Sequence, residues 1–371
     1  MDDGMDDGMD DGRDDGVDGG VNEGVDGGSN GPSGRAFDVV VVGGGAAGLA
    51  GALTLARARR SVLLLDSGSP RNAPAAHLHG YLGRDGAAPA ELLATGRAEV
   101  AAYGGRIRSG AAGTAVAADR TAGGAFVVRC ADGSAVRARR LLLATGVVDE
   151  LPELPGLRER WGRSVLNCPY CHGWEVRDQP LAVLATGPLA VHQAQLWRNW
   201  SDRVTLLAHT WRPGEADREL LAALGVAVVE EEVAGLAGGE GDGEAVGGLC
   251  GVRLAGGGTV ECRALVVAPR FTARAGVAAS LGLPLAAVVR DGVALGTCLE
   301  ADPATGATAL PGVWAAGNVT SPTDQLAAAA AAGARAAMAI GAGLIEEEAR
   351  RALEAYRARG GGAGDAGGDR A

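Results

Sequence analysis

The sequence predicts an α/β fold, and three observations predict it. FDVVVVGGGAAGLAGALTLARARRSVLLLDSG (37–68) reads as strand, glycine turn, helix and strand. QPLAVLATGPLAVHQAQLWRNW (179–200) and DRVTLLAH (202–209) repeat that order. Two further apolar runs, RRLLLATG (139–146) and GVWAAGNV (312–319), each stop at a small-residue turn. Continuous apolar runs suit strands buried on both faces, as in parallel sheets covered by helices. The second strand–turn–helix unit falls between pieces of the first. The expected architecture is therefore two Rossmann-like dinucleotide-binding domains, the second inserted into the first.

Taken in order, Val39–Val42 form the first buried strand, and Gly43, Gly45 and Gly48 then spell GxGxxG at the head of an alanine- and leucine-rich helix. Gly43 makes the turn, Gly45 lets a pyrophosphate approach backbone amides, and Gly48 lets helix and strand pack closely, with Ala46 and Ala47 between them. Asp66 ends the next apolar run, where an acid can hold a ribose hydroxyl. A lone GxGxxG is a weak signal. Strand, helix and acid together make a dinucleotide site the better reading than a ligand-free glycine turn.

Composition narrows the function classes. The chain has 371 residues, 47% of them apolar, enough for two domains with sizeable cores. Its formal charge of −11 lies almost wholly in residues 1–34, MDDGMDDGMDDGRDDG onward, which hold ten Asp, one Glu and one Arg. That acidic, glycine-rich tail is expected to be disordered. The near-neutral body offers no basic face for nucleic acid. Every basic residue is arginine, which excludes Schiff-base lysine chemistry and a P-loop. The run closest to a membrane span, 326–345, is alanine-rich and interrupted by Arg335. No signal peptide is read at the start, so the expected location is cytoplasmic, with no membrane. Six cysteines in a cytoplasmic chain are not a disulfide framework, and Cys130, Cys250, Cys262 and Cys298 read as isolated thiols.

CPYCHGWE (168–175) admits three readings: half a zinc site, a redox dithiol, or two thiols close by accident. Zinc needs further ligands and there is no second CxxC, so no metal is expected. Pro169 suits the first turn of a helix, placing Cys168 and Cys171 at a helix amino terminus, where thiol pKa falls. The redox dithiol is favoured. His172 behind it is either an acid–base group or a structural hydrogen-bonding residue.

RRLLLATG followed by DELPELPG, and GVWAAGNV followed by DQLAAAAAAGARAAMAI, resemble the ATG linker and C-terminal flavin-binding motif of two-dinucleotide-domain flavoproteins. With a CxxC in the inserted domain, residues 36–345 resemble the thioredoxin reductase-like FAD-dependent pyridine nucleotide-disulfide oxidoreductases. CPYCHGWE, with RNAPAAHLHG (71–80) upstream, is similar to the dithiol oxidase branch that closes disulfides in gliotoxin- and holomycin-type natural products. The resemblance implies FAD held by Gly43, Gly45, Ala46, Ala47, Gly48 and Asp66, by Arg71 and Asn72, by Ala144, Thr145 and Gly146, and by Gly317, Asn318, Gln325 and Leu326. It implies Cys171 nearest the flavin ring, Cys168 exchanging with substrate, and a homodimer. His172 stands where the reductases carry an acidic proton donor, and Asn318 where the family usually has aspartate. His77 and His79 would lie near the flavin, with a packing role as the plainer reading. Trp174, Trp197, Trp200 and Trp211 read as core residues before cavity residues.

The second nucleotide motif is degraded. ATGPLA has Ala185 at the turn position and keeps Gly187 and Pro188; the next strand ends at His209 instead of an acid, and Arg212 is the sole candidate for a 2′-phosphate. Use of NADPH is left open. The favoured function is an FAD-dependent thiol–disulfide oxidoreductase that oxidises a small-molecule dithiol with dioxygen as acceptor. The alternatives are an NADPH-dependent reductase of a thioredoxin-like protein and a non-catalytic flavin redox sensor. The expected domains are a tail (1–34), the FAD-binding domain (35–151 and 271–345), the inserted NAD(P)-like domain (152–270), and a helix end with a flexible tail (346–371).

Overall fold

The computed structural model describes residues 36–238 and 248–359; the acidic repeat, and the C-terminal glycine-rich run beyond residue 359, lie outside the described residues. The first sheet places Arg106–Ser109, Val62–Asp66, Phe37–Val42 and Ala135–Leu143 side by side and parallel. The last of these is long enough for two further partners on one edge. Its first half pairs antiparallel with Phe126–Cys130, and its second half pairs parallel with Val313–Ala315, from far along the chain. Alternation along Phe37–Val42 builds both cores: Val39 and Val41 face the helices Ala46–Arg57 and Leu326–Ala358, while Val40 and Val42 face Phe126, Val277 and Leu299.

A second parallel sheet orders Ala227–Val229, Val204–Ala208, Leu181–Ala185, Ala264–Val266 and Val165–Leu166. One face is covered by the helices Leu189–Trp197 and Glu215–Ala223. The other is covered by the antiparallel strands Val233–Ala237, Gly251–Leu254 and Thr259–Glu261. This is the expected pair of Rossmann-like units, the second inserted into the first. The two passages between them, Val147–Glu150 and Arg270–Ala273, lie side by side as an antiparallel pair. The edge strand Val165–Leu166 leads directly into Asn167 and Cys168.

The alanine-rich run is the start of one helix, Leu326–Ala358, unbroken through residue 345. It is the one described helix long and apolar enough to cross a membrane. Its Ala329, Gly333, Ala336, Ala337, Ile340 and Leu344 are buried against the first helix and sheet. Small residues are needed there because the helices nearly touch: a Cβ on Gly333 would lie 1.9 Å from the Ala47 carbonyl oxygen. Trp197 is buried in the core as expected, whereas Trp174 is 66% exposed, its ring covered by the Arg177 guanidinium at 4.0 Å.

Candidate active site

The glycine turn has the shape of a dinucleotide cradle. Gly43 has φ +113°, and a Cβ on it would meet the Ala144 carbonyl oxygen at 2.2 Å; one on Gly48 would meet the Gly43 carbonyl oxygen at 1.8 Å. Only glycine fits at either place. A Cβ on Gly45 would meet nothing within 4 Å, so bare backbone faces open space. Gly44, which the sequence reading passed over, lies beneath the Asp66 carboxylate, whose Cγ would be 2.1 Å from an added Cβ. Asp66 is buried, accepts from the Gly68 N–H at 2.9 Å, and has Arg97 at 3.3 Å. These features fit a bound FAD: close-approach backbone for the pyrophosphate and an oriented acid for the ribose.

Of the remaining predicted cofactor residues, Ala144 and Gly317 border this cradle. Ala144 underlies Gly43, the Thr145 hydroxyl donates to the Arg274 carbonyl at 2.8 Å, and Gly146 turns with φ +70°. Gly317 also has positive φ, and a Cβ on it would lie 2.7 Å from that of Ala47. Asn318 donates through Nδ2 to the carbonyls of Ser321 (3.0 Å) and Asp324 (2.9 Å). An aspartate there would set an anion against carbonyl oxygens, which accounts for asparagine at this position. Arg71 is a bracket: its guanidinium makes a bidentate pair with Asp149 at 2.9 and 2.6 Å and donates to the Pro322 carbonyl at 2.9 Å. Asn72 accepts the Ala75 N–H through its backbone carbonyl. Gln325 precedes Leu326, the first residue of the last helix, and its Nε2 points at the Cys168 sulfur, 3.9 Å away.

Cys168 stands immediately before the short helix Pro169–His172, and the Cys171 thiol donates to the Cys168 sulfur at 2.7 Å. The position before a helix was expected to acidify both thiols. The structure separates them instead, because one proton is shared. The Cys171 hydrogen bond, then local backbone hydrogen bonds and Gln325, outweigh burial and bring Cys168 down to about 7. Donation to Cys168, burial and the neighbouring Cys168 charge push Cys171 above the ordinary thiol range, with Arg71 opposing. His172 has both ring nitrogens buried without a hydrogen-bond partner. Burial holds its pKa below the usual imidazole value; Glu175 pulls it up and His79 pushes it down.

The HLHG loop reaches this segment. His79 Nε2 is 3.4 Å from Glu175, its Nδ1 is 3.4 Å from Asp85, and His77 Nδ1 is turned to the Gly86 carbonyl at 3.0 Å. Beneath the cysteines, a Cβ on Gly173 would lie 2.8 Å from the Trp200 ring, which Tyr170 meets edge-on at 5.5 Å. Glu175, Arg97 and Asp149 could not be singled out from sequence, since ordinary surface acids and arginines look the same there.

The second turn is built differently. Ala185 is buried at its strand end and lacks the positive φ seen at Gly43. His209 accepts the Val233 N–H through Nδ1 at 3.3 Å, and Arg212 is bound to Glu230 at 3.0 Å.

These two nucleotide-type folds with a dithiol between them define a class, the two-domain flavin disulfide oxidoreductases. The family described as pyridine nucleotide-disulphide oxidoreductase matches residues 37–336, and the chain belongs to it. It is 40% identical over 177 residues to thioredoxin reductase tcpT of Claviceps purpurea, covering 46% of this chain and 55% of that protein. It is 39% identical over 183 residues to thioredoxin reductase aclD of Aspergillus oryzae, covering 46% and 56%. The chain thus spans about half the length of these curated relatives. Among solved structures, HlmI superposes with TM-score 0.79 at 44% identity, over 87% of this chain and 97% of that one. The oxidoreductase from Agrobacterium tumefaciens gives TM-score 0.75 at 34% identity, over 84% and 99%. FAD is the cofactor that family and cradle support.

Proposed function

We propose that this chain is an FAD-dependent dithiol oxidase, closing a disulfide in a small-molecule dithiol with dioxygen as final acceptor. The similarity to HlmI over nearly its whole length and the CPYCHGWE string support the substrate class. The observation that carries the electron route is the contrast between the two nucleotide turns. The first requires glycine at 43; the second holds alanine at 185 in an ordinary conformation, with His209 and Arg212 already bound to protein groups. That contrast disfavours productive NADPH docking and with it the reductase of a thioredoxin-like protein.

The chain's own residues then act as follows. His172, neutral because of burial, takes the proton of the first substrate thiol on one of its unpartnered ring nitrogens. The resulting thiolate attacks Cys168 of the oxidised pair; the Cys168–Cys171 bond breaks, a mixed disulfide forms, and Cys171 leaves with the proton from His172. Burial disfavours a Cys171 thiolate, which favours its leaving as the thiol. His172, neutral again, takes the proton of the second substrate thiol, whose sulfur attacks the substrate sulfur of the mixed disulfide and expels Cys168 as a thiolate; its pKa of about 7 makes it a good leaving group. The substrate has lost two electrons and the cysteines have gained them. Bound FAD supplies a two-electron acceptor that dioxygen can reoxidise. The working form is a homodimer, supported by an outward apolar stripe on the last helix.

The test is anaerobic titration of the yellow protein. NADPH at millimolar concentration is expected to leave the flavin absorbance nearly unchanged, whereas dithiothreitol bleaches it, and air restores it with about one peroxide per disulfide. Rapid stoichiometric bleaching by NADPH, followed by electron transfer to a thioredoxin, would install the reductase reading in its place.

A further inference from the structure

We propose that Cys250 and Cys262 form a second redox couple, a dithiol that peroxide closes into a cross-strand disulfide remote in sequence from the CPYC pair. Sequence spacing hides the pair; strand register reveals it. Gly251–Leu254 and Thr259–Glu261 are antiparallel, with Gly251 opposite Glu261 and Val252 opposite Val260. One step outward sets Cys250 opposite Cys262, and the Cys262 N–H donates to the Cys250 carbonyl at 3.4 Å. Directly opposed residues have Cβ atoms about 4.5–5.5 Å apart; because Cys250 is exposed while Cys262 faces the core, closure turns the Cys250 side chain inward. A disulfide needs about 3.5–4.5 Å. The Cys250 N–H has turned to the Ala237 carbonyl at 3.1 Å instead of completing the ladder, so the pair sits at a loose ladder end where a small approach is easy. The other two cysteines lack this arrangement: Cys130 lies opposite Ala115, and Cys298 opposite Ala286.

The two thiols differ in their access to solvent, which sets the order of the steps. Cys250 is exposed, while Cys262 is fully buried among Leu157, Val165, Leu184, Leu249 and Val252. Burial, with Cys250 beside it, pushes the Cys262 thiol up to about 12. Cys250 is therefore the thiol that meets oxidant. Its sulfur attacks one peroxide oxygen, the O–O bond breaks, and its proton leaves with the second oxygen as water, giving a sulfenic acid. The Cys262 sulfur then displaces the remaining oxygen, its own proton completing a second water, and the S–S bond forms. Two thiols have lost two electrons and one peroxide has become two waters. The cross-link ties the antiparallel sheet just before Ala264–Val266, the strand that borders Val165–Leu166 and thus the approach to Cys168. The oxidase reaction would release this oxidant, but the inference does not depend on it.

The test uses the full-length, flavin-loaded chain with Cys168→Ser and Cys171→Ser, leaving four of the six cysteines. After hydrogen peroxide, removal of oxidant, unfolding and alkylation with N-ethylmaleimide, intact mass is expected to show two adducts where the reduced protein shows four, with two hydrogens lost. Peptide mapping is expected to link Cys250 to Cys262. Adding the exposed-site change Cys250→Ser, which does not disturb the core, is expected to abolish the linked peptide and retain three adducts. Four adducts after peroxide, a Cys250 sulfenic acid trapped by dimedone while Cys262 still alkylates, or a Cys250 bridge between two chains would each overturn the proposal.

Discussion

At the scale of single residues, the dithiol is asymmetric because one hydrogen bond serves two sulfurs. In the reduced native protein, alkylation of Cys168 by iodoacetamide is expected to rise with a midpoint near pH 7, since its thiol is brought down to about 7 with the Cys171 bond as the largest cause. Cys171→Ala removes that donor, so the midpoint is expected to move up by about one unit or more toward the ordinary thiol range. An unchanged midpoint would assign the acidity to the local backbone or Gln325 instead. The adjacency of Cys168, Cys171 and His172 was legible in CPYCHG because a short helix keeps neighbours together. Their unequal acidity was not, because helix position acts on both thiols alike while the shared proton depends on side-chain geometry. Asn318 shows the same limit: the departure from aspartate was visible, but its cause, the carbonyls of Ser321 and Asp324, appears only in three dimensions.

Between elements, the controlling contact is the crossing of the first and last helices. Alanine and glycine content looked merely weakly apolar in sequence; it is what lets the helices cross so closely that a Cβ on Gly333 would lie 1.9 Å from the Ala47 carbonyl oxygen. Gly333→Ala is expected to destabilise the fold by on the order of 1–3 kcal/mol, as overpacking does against backbone. Gly341→Ala, in the same helix with nothing within 4 Å, is expected to be neutral or stabilising by up to about 1 kcal/mol. Denaturant titrations of both variants check the contrast, and equal effects would refute the crossing as the cause. Farther along, Glu347 pairs with Arg140, Arg139 and Arg351, and Glu348 with Arg60 at 2.7 Å. Burial raises the Glu347 carboxyl, but Arg140 and Arg139 bring it below its usual value of 4.5. A lowered folded-state pKa contributes stability above the unfolded value and loses it as pH falls through the folded one. Glu347→Gln is therefore expected to lower the melting temperature at pH 7 and to flatten its decline below about pH 4.5. An unchanged slope in acid melts would remove this carboxylate from the acid sensitivity.

On the scale of the whole molecule, the order of strands and turns was legible because buried parallel strands are written as continuous apolar runs. How the units face one another was not, since it depends on contacts between distant segments: His79 with Glu175, Gln325 with Cys168, Arg71 with Asp149 and Pro322. One surface remains apolar after the described chain has folded. Met338 and Ile345 are each 60% exposed, and Leu353 and Tyr356 continue the outward side of the last helix. Met338 and Ile345 are seven residues apart, close to two helical turns, so they share a stripe. Beside its start, Tyr81, fully exposed Leu82, Ala50, Ala330 and Ala334 line a groove of about 420 Å³. An apolar surface of this kind is what the proposed homodimer would bury, since a two-fold contact would present the same patch from both copies. Met338→Glu with Ile345→Glu sets charges into the centre of that contact while leaving the buried face, Ala336, Ala337, Ile340 and Leu344, untouched. The double variant is expected to sediment as a monomer at concentrations where the parent is a dimer, with flavin content and circular dichroism retained. A variant that remains dimeric would move the interface elsewhere on the molecule, and a parent that is monomeric throughout would remove the homodimer from the proposed function.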